Sequence, residues 1–397
     1  MTRIEGRLLD GFGRLVGSGI VLDDDGVLTE VLPVRDDVRG WVTPGFLDIH
    51  NHGGGGASFP DDTDDEGIAA AIAAHQEMGT SGLLASLVSM IDPLPAIEAL
   101  VPWCERGQLL GIHLEGPYIS PHKCGAQNPA AVREPDLAEL RTWLEAGEGW
   151  IRTMTIAPEV AGAQAAAELL LDYGAVPSWG HTSALGAQAL ERLRETAESG
   201  RARGFGRPPQ TATHLFNAMP PLAHREPGPV REFIQAARRG ECVVELVADG
   251  VHLHPDLVSD VTSYVGASDQ GELGVVFVTD AMAGAGMPDG SYELGSLPVT
   301  IADGVARLTR GGAIAGGTAR LSEEIKRMVT AGAVTMEQAV RACVAAPAVA
   351  LGVDDSTAGV TLEWRVGSKP SVVCFDEALD VGEVWREGAM IVSDTRG

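Results

Sequence analysis

The sequence is poor in cysteine and in positive charge, and each shortage excludes a class of protein. Five of the 397 residues are cysteines, and no two of them form a C-x-x-C pair. This usage argues against a disulfide framework and favours a reducing compartment. Lysine and arginine number 29 against 55 aspartates and glutamates, which gives a formal net charge of −26. Because such a charge repels phosphates and anionic headgroups, we expect neither a nucleic acid nor a membrane surface as partner.

Long hydrophobic runs are also missing. No stretch of about 20 apolar residues, the length that spans a bilayer, occurs in the sequence. The first residues, MTRIEGRLLDGFGRLV, contain no unbroken apolar segment of the kind found in signal peptides. We therefore expect a cytoplasmic protein that is neither exported nor membrane-spanning. Hydrophobic residues make up 45% of the chain, which is enough for a large buried core.

The two ends of the chain differ in pattern from its middle. Residues 1–43 and 359–397 alternate short apolar runs with turn residues, which predicts one small β-sandwich domain built from both termini. Residues 44–358 alternate short apolar runs with Ala-rich segments of helical period, such as DEGIAAAIAAHQEMG. The predicted strands are FLDIH (46–50), LLASLV (83–88), LLGIHLE (109–115), TMTIA (153–157), AVPSWGH (175–181), TATHL (211–215), CVVELVA (242–248) and GVVFVT (274–279).

Eight strand and helix repeats predict an α/β fold, a (β/α)8 TIM-type barrel, for residues 44–358. An open doubly wound sheet is the alternative, and it would place a Gly-rich phosphate-binding turn after its first strand. Here His50-Asn51-His52 follows the first strand instead, which favours the barrel.

Polar side chains lie at the ends of the predicted strands, where a barrel places its active site. His50 and His52 are two residues apart, so both side chains point the same way and can bind one metal ion. Glu115 ends the third strand before a Gly-Pro pair, and a carboxylate at this position can bridge two ions. His181, His214 and Asp280 end the fifth, sixth and eighth strands.

This donor set indicates metal-assisted hydrolysis. Imidazole and carboxylate suit Zn, Fe, Co or Mn, and the absence of cysteine argues against a closed structural zinc site. A divalent metal lowers the pKa of a water molecule to about 7 and so provides a nucleophile at neutral pH. Asp280 directly follows a strongly apolar strand, where a carboxylate is costly to bury without a task. We therefore predict that Asp280 transfers the proton.

Six motifs give the sequence a resemblance to a known family. They are PGFLDIHNHG, GIHLEGPYISPHKCGAQNP, WGHTSA, THLFNAMPPLAHREPG, ADGVHLHP and VTDAMAGAG. Their identity and order resemble the N-acetylglucosamine-6-phosphate deacetylases of the amidohydrolase superfamily over nearly the whole chain. The resemblance implies hydrolysis of N-acetyl-D-glucosamine 6-phosphate to D-glucosamine 6-phosphate and acetate, in amino-sugar catabolism and cell-wall recycling.

The resemblance also implies roles for single residues. Glu115, His181 and His214 would hold one divalent ion, and His50 with His52 would complete a second position, so we expect one or two ions per subunit. Asp280 would take the proton of the attacking water and deliver it to the leaving amine.

Substrate contacts and a homodimer follow from the same resemblance. Arg225, which a neighbouring subunit can supply in the family, and His252 would bind the phosphate, and this implies a homodimer. The full set of implied substrate contacts is Ala126, Gln127, Asn217, Ala218, Arg225, Asp249, His252, Ile314, Ala315 and Gly316.

Two alternatives remain open. One is another amidohydrolase, such as a cyclic-imide or N-acyl-amino-acid amidase with the same metal centre. Those relatives commonly use a carboxylated lysine as the bridge, whereas Glu115 stands at the corresponding strand end here. The other is an inactive barrel that serves as a scaffold, which would be expected to have lost ligands or the catalytic carboxylate. All five predicted metal ligands and the predicted catalytic carboxylate, Asp280, are present.

Overall fold

A computed structural model describes residues 1–393 of the chain. The first four strands precede the barrel, and in the first of them buried Ile4 and Leu8 alternate with exposed Arg3, Glu5 and Arg7. This period of two covers one face of the strand and leaves the other in solvent. The strands are β1 (Thr2–Leu9), β2 (Leu15–Leu22), β3 (Leu28–Val31) and β4 (Trp41–Pro44).

The predicted barrel is confirmed, and each of the eight predicted segments forms one of its parallel strands. Between the first two of these strands lies a short antiparallel pair, β6 (Gly53–Gly54) and β7 (Ala57–Ser58). The barrel strands are β5 (Phe46–Asn51), β8 (Thr80–Leu87), β9 (Gly111–Glu115), β10 (Ile151–Ile156), β11 (Val176–Trp179), β12 (Thr211–Ala212), β13 (Val243–Val247) and β14 (Val275–Val278).

The strands pair in chain order from β5 to β14. The circle closes where β14 meets β5 again: the Asp280 N–H donates to the His50 carbonyl at 2.9 Å, and the His52 N–H donates to the Ala281 carbonyl at 2.7 Å. Three residues of the predicted metal and proton-transfer set, His50, His52 and Asp280, therefore belong to the hydrogen bonds that close the barrel.

Helices connect the strands and cover the outside of the barrel. Several begin at a side chain that accepts backbone N–H groups, as Asp64 does for Gly67 and Asp136 for Ala138 and Glu139. The helices are α1 (Asp65–Gln76), α2 (Leu94–Glu105), α3 (Leu137–Ala146), α4 (Ala163–Asp172), α5 (Gly186–Ala202), α6 (Gly228–Arg238), α7 (Pro255–Gly266), α8 (Leu321–Thr330), α9 (Met336–Cys343) and α10 (Ala345–Leu351).

A three-stranded antiparallel sheet, which the sequence reading missed, interrupts the last repeat between β14 and α8. Its strands are β15 (Gly290–Leu294), β16 (Leu297–Ala302) and β17 (Val305–Leu308). Leu294, Val299 and Ile301 of this sheet pack with Met282 and Ala315 in a small apolar cluster at the barrel mouth. The insertion therefore forms part of the wall around the strand ends.

The small β domain takes its remaining strands from the end of the described chain, β18 (Val372–Phe375), β19 (Val381–Arg386) and β20 (Ala389–Val392). The order in this sheet is β20-β19-β18-β4-β1-β2-β3, so strands from the two ends meet where β18 pairs with β4. Arg386 donates to the Ser81 carbonyl at 3.0 Å and also contacts the Gly107 carbonyl, and both carbonyls belong to the barrel part of the chain. The division at residues 43 and 359 stays a prediction.

The main hydrophobic core lies between the barrel strands and the helices. Leu114, Leu246 and Phe277 of the strands pack in one cluster with Val258 of α7 and Ile325 of α8. Among the described residues, no helix combines the length and the apolar character needed to cross a bilayer.

Candidate active site

The six polar residues predicted at the strand ends lie together at one mouth of the barrel, and all are buried. Parallel strands of a barrel end at the same face, which brings side chains from distant parts of the sequence within contact. The residues are His50 of β5, His52 directly after β5, Glu115 at the end of β9, His181 after β11, His214 after β12 and Asp280 after β14.

The first of two possible cation positions is built on β5. The Nε2 atoms of His50 and His52 are 3.2 Å apart, and His52 Nε2 lies 3.1 Å from Glu115 Oε2. Asp280 Oδ1 lies 3.4 Å from His50 Nε2 and 3.2 Å from His52 Nε2. Because the pairing of β5 with β8 is irregular at this end of the strand, both rings face the barrel interior.

The second position joins three strand ends. Glu115 Oε1 lies 2.8 Å from His181 Nε2 and 3.0 Å from His214 Nε2, and the two nitrogens are 3.0 Å apart. Each oxygen of the Glu115 carboxylate therefore faces one position, as a bridging ligand requires.

Three site residues have a backbone conformation that residues other than glycine rarely adopt. The φ angles are +46° at His181, +23° at His214 and +47° at Asp280. A non-glycine residue in this region costs about 1–3 kcal/mol and persists only where the surroundings hold it. The strain turns these three side chains inward directly after their strands end.

The second nitrogen of each imidazole shows which nitrogen is free to bind a metal. The Nδ1 atoms of His52 and His181 lie 3.0 Å from the Ser86 carbonyl and 2.8 Å from the Lys123 carbonyl. Since a carbonyl can only accept, both Nδ1 atoms carry hydrogen and the lone pair lies on Nε2. Those Nε2 atoms are the ones that face Glu115.

The other two histidines differ from this pattern. His50 Nδ1 lies 3.0 Å from Glu245 Oε2, a buried carboxylate inside the barrel. His214 Nδ1 is buried and has no hydrogen-bond partner among residues 1–393.

The electrostatic field of the site favours positive charge. Burial lowers the pKa of His52, but hydrogen bonds to Asp280 and Glu115 outweigh burial and raise this pKa to about 9. Burial raises the pKa of Glu115, yet the surrounding histidines hold it well below its usual range. Carboxylates and imidazoles in this arrangement bind either protons or a cation.

The residues fit a divalent metal. Two groups, His50 with His52 and Glu115, and Glu115 with His181 and His214, have ligand atoms within 4.8 Å of one another. Most of the pairs within each group are 2.8–3.2 Å apart, close to the roughly 3.3 Å between ligand atoms 2.0–2.1 Å from a tetrahedral ion. Their nitrogen and oxygen donors are ordinary ligands of Zn, Fe, Co and Mn.

A cavity of about 340 Å³ opens above these residues. Its wall includes seven of the ten predicted substrate contacts, namely Ala126, Gln127, Asn217, Ala218, His252, Ile314 and Gly316. Leu294 of β15 also lines it, so the inserted sheet helps to enclose the space.

Three predicted substrate contacts lie outside the cavity wall of this chain. Arg225 is exposed on the loop before α6 and does not belong to the wall of this cavity. Ala315 is fully buried in the apolar cluster under the inserted sheet. Asp249 lies behind His252, with Oδ2 2.8 Å from His252 Nδ1.

Gln127 contacts the metal ligand directly. Its Nε2 donates to Glu115 Oε2 at 2.5 Å, and its Oε1 accepts the Ser89 N–H at 2.5 Å. The second bond fixes which end of the amide faces Glu115. Gln127 therefore orients the carboxylate as well as lining the cavity.

The sequence reading missed a buried network behind β5. The Asp48 Oδ2 atom accepts from Thr279 Oγ1 at 2.6 Å and from Asn51 Nδ2 at 3.0 Å. His75 of α1 is fully buried and contacts both Asn51 and the Gly53 carbonyl. A polar residue inside an Ala-rich helix was the available signal.

Two cationic or titratable side chains of the cavity wall were also missed. Lys123 and His122 both line the cavity. The Lys123 Nζ atom lies 3.2 Å from the Met219 carbonyl. The signal for a lysine in the cavity wall was its position two residues before the GAQ segment of the motif.

The comparisons with known proteins agree with this geometry. Residues 41–361 match the Amidohydrolase family, and the chain belongs to that family. An N-acetylgalactosamine-6-phosphate deacetylase of Escherichia coli O157:H7 is 33% identical over 379 residues, which cover 92% of this chain and 93% of that protein. An N-acetylglucosamine-6-phosphate deacetylase of Bacillus subtilis (strain 168) is 32% identical, covering 72% of this chain and 69% of that protein.

A solved structure extends the similarity to three dimensions. It is a mutant N-acetyl-D-glucosamine-6-phosphate deacetylase of Mycobacterium smegmatis in complex with N-acetyl-D-glucosamine-6-phosphate. It superposes with a TM-score of 0.86 at 33% identity, covering 99% of this chain and 100% of that one. The family resemblance read from the motifs is thereby confirmed.

Proposed function

We propose that the protein hydrolyses the acetamide of N-acetyl-D-glucosamine 6-phosphate to D-glucosamine 6-phosphate and acetate. The observation that carries the proposal is the position of Asp280, whose carboxylate lies beside His50 and His52 in the wall of the cavity. The mycobacterial structure with its bound phosphosugar supports this substrate.

Glu115, His181 and His214 would hold a divalent cation, and His50 and His52 a second one. A cation held there supplies polarisation of the acetamide carbonyl and a water molecule of lowered pKa. A pKa of about 7 for such a water molecule suits hydrolysis at neutral pH. The nitrogen and oxygen donors suit Zn, Fe, Co and Mn.

Asp280 moves the proton. Burial raises the pKa of this carboxyl, but His50 and His52 outweigh burial and keep it ionised. The ionised carboxylate accepts a proton from the attacking water as the carbon–oxygen bond forms. The same group then gives that proton to the nitrogen as the carbon–nitrogen bond breaks, which releases a neutral amine.

His252 faces the same space. Its Nδ1–H donates to Asp249, and its Nε2 lies 3.8 Å from Asp280 Oδ2, so the ring is held with one nitrogen toward the cavity. This nitrogen supports a hydrogen bond to the sugar or its phosphate.

Lys123 supports recognition of the phosphate within a single chain. It stands in the cavity wall near Asn217 and Ala218, while Arg225 lies outside that wall. We expect Lys123→Met to raise KM for the phosphorylated sugar about tenfold, equivalent to about 1.4 kcal/mol, and to leave turnover of the unphosphorylated sugar unchanged. A loss of equal size on both sugars would contradict the phosphate contact.

The reaction itself is tested by acetate release from N-acetylglucosamine 6-phosphate. We expect Asp280→Asn to lower kcat by about 10²–10⁴-fold, the usual contribution of general acid–base catalysis, with unchanged metal content. A near-normal rate in this variant would show that Asp280 does not transfer the proton.

The galactosamine epimer is a second candidate substrate, favoured by the E. coli relative that aligns with 92% of the chain. The two sugars differ only at C4, so kcat/KM measured for both 6-phosphates with the same preparation decides between them. We also propose a cytoplasmic homodimer that brings Arg225 to the partner's cavity. Its exposed position supports this arrangement, and sedimentation of the free protein tests the oligomeric state.

A further inference from the structure

Glu245 lies inside the barrel next to the candidate metal centre, on β13. Its neighbours on the same face of the strand, Val243 and Val247, belong to an apolar cluster, whereas Glu245 is a carboxylate with 1% exposure. A buried carboxylate costs several kcal/mol unless it is paired. Its presence among valines points to a specific partner.

The partners of Glu245 are two of the ligating histidines. Its Oε2 atom lies 3.0 Å from His50 Nδ1 and accepts the backbone N–H of His214 at 3.1 Å. Of the four ligating histidines, His50 is the one whose Nδ1 contacts a carboxylate, since His52 and His181 use backbone carbonyls and His214 Nδ1 has no partner among the described residues.

We propose that Glu245 is a positioning residue that sets the affinity of the cation position formed by His50 and His52. By accepting the Nδ1–H of His50, it fixes the tautomer in which the lone pair of Nε2 faces His52, 3.2 Å away. A carboxylate partner also makes an imidazole a stronger ligand than a carbonyl partner does. The inference rests on the metal centre of the proposed function.

If the Nδ1–H of His50 lost its acceptor, the proton could move from Nδ1 to Nε2. The Nε2 atom would then carry a hydrogen in place of its lone pair. The ring would then direct a hydrogen toward His52 and Asp280 instead of a ligand atom. In the other position Glu115 and His181 make no contact with Glu245, and His214 contacts it through its backbone N–H rather than through its ring. Loss of Glu245 should therefore affect the two positions unequally.

The experiment measures zinc binding to metal-free protein by competition with a chromophoric chelator. We expect the unmodified protein to bind two ions with different affinities. In Glu245→Met the weaker affinity should fall 10–100-fold, the usual effect of removing such a partner, and at least tenfold more than the tighter one. Glu245→Gln keeps an oxygen acceptor and should recover most of the loss.

Glu324→Gln is the matched control, because Glu324 is also fully buried but its carboxylate oxygens have no hydrogen-bond partner among the described residues. Its two zinc affinities should stay within threefold of those of the unmodified protein. Equal weakening of both ions in Glu245→Met would mean a general structural role and would overturn the proposal. So would unchanged binding, failure of Glu245→Gln to recover it, or a single ion in the unmodified protein.

Acetate release by the same preparations separates this inference from the proposed function. If the unmodified protein deacetylates the phosphosugar and Glu245→Met binds both ions normally, the positioning role fails and the function stands. If no preparation releases acetate, the function fails whatever the zinc affinities are.

Discussion

The two cation positions of the site are built in different ways. His50 lies in β5 and His52 directly after it, and their Nε2 atoms lie close together because every second residue of an extended segment shares a face. His181 and His214 come from separate strand ends, each in a left-handed backbone conformation, and meet at Glu115 from a third. The first position depends on local spacing, while the second depends on the whole barrel.

The difference also concerns what supports the ligands. The position on β5 has a carboxylate behind His50 and a hydrogen-bonded network behind the strand. In the position between strands all three pairs of ligand atoms are 2.8–3.0 Å apart, whereas on the side of β5 the His50 Nε2 and Glu115 Oε1 atoms are 3.7 Å apart. Preformed ligands bind an ion with little rearrangement, so we expect the position between the strands to be the tighter one.

Glu115 joins the two positions, so its replacement should have the largest effect. Glu115→Gln removes the negative charge that both positions share and leaves an amide nitrogen facing one of them. We expect bound metal to fall below one ion per chain and kcat/KM to fall about a thousandfold, or about 4 kcal/mol. Metal analysis and acetate release measure both quantities. A normal rate without bound metal would refute the metal centre altogether.

Paired replacements of single ligands test the inequality directly. His214→Asn should lower kcat/KM by about 10²-fold or more, and His52→Asn by about tenfold, because His214 belongs to the position whose three ligand atoms already lie within 3.0 Å of one another. The rates are compared at the same excess of zinc. Equal losses, or a greater loss for His52, would reverse the ranking of the two positions.

The network behind β5 should affect stability more than rate. In Asp48→Asn an amide takes the place of the carboxylate that accepts from Thr279 and Asn51. Losing a buried hydrogen bond to a charged group costs about 1.5–3 kcal/mol, so the thermal midpoint should fall by several degrees. Calorimetry of the metal-free protein measures the midpoint. An unchanged midpoint would show that this network does not hold the strand.

Much of this architecture could be predicted from the sequence. The eight strands are predicted by short apolar runs between helical segments. The shared orientation of His50 and His52 is predicted by their spacing of two residues. Glu115, His181, His214 and Asp280 could be found because polar side chains at the ends of apolar strands are costly to bury without a role.

Other features depend on contacts that the local sequence does not encode. Glu245 is one charged residue within an apolar strand, and only the closed barrel places it against His50. The sheet from β15 to β17 follows β14 without a separate signal, so its residues were included in the last repeat. The buried state of His75 depends on the packing of α1 against the network of Asp48.

The meeting of β18 with β4 has a consequence for synthesis of the protein. On the ribosome, β1 to β4 emerge first, yet β4 has an open edge until residues near 372 have been made. The barrel strands are translated in between and can pair in the order of their appearance. We therefore expect the barrel to assemble during translation, with the sheet of the two chain ends completed after it.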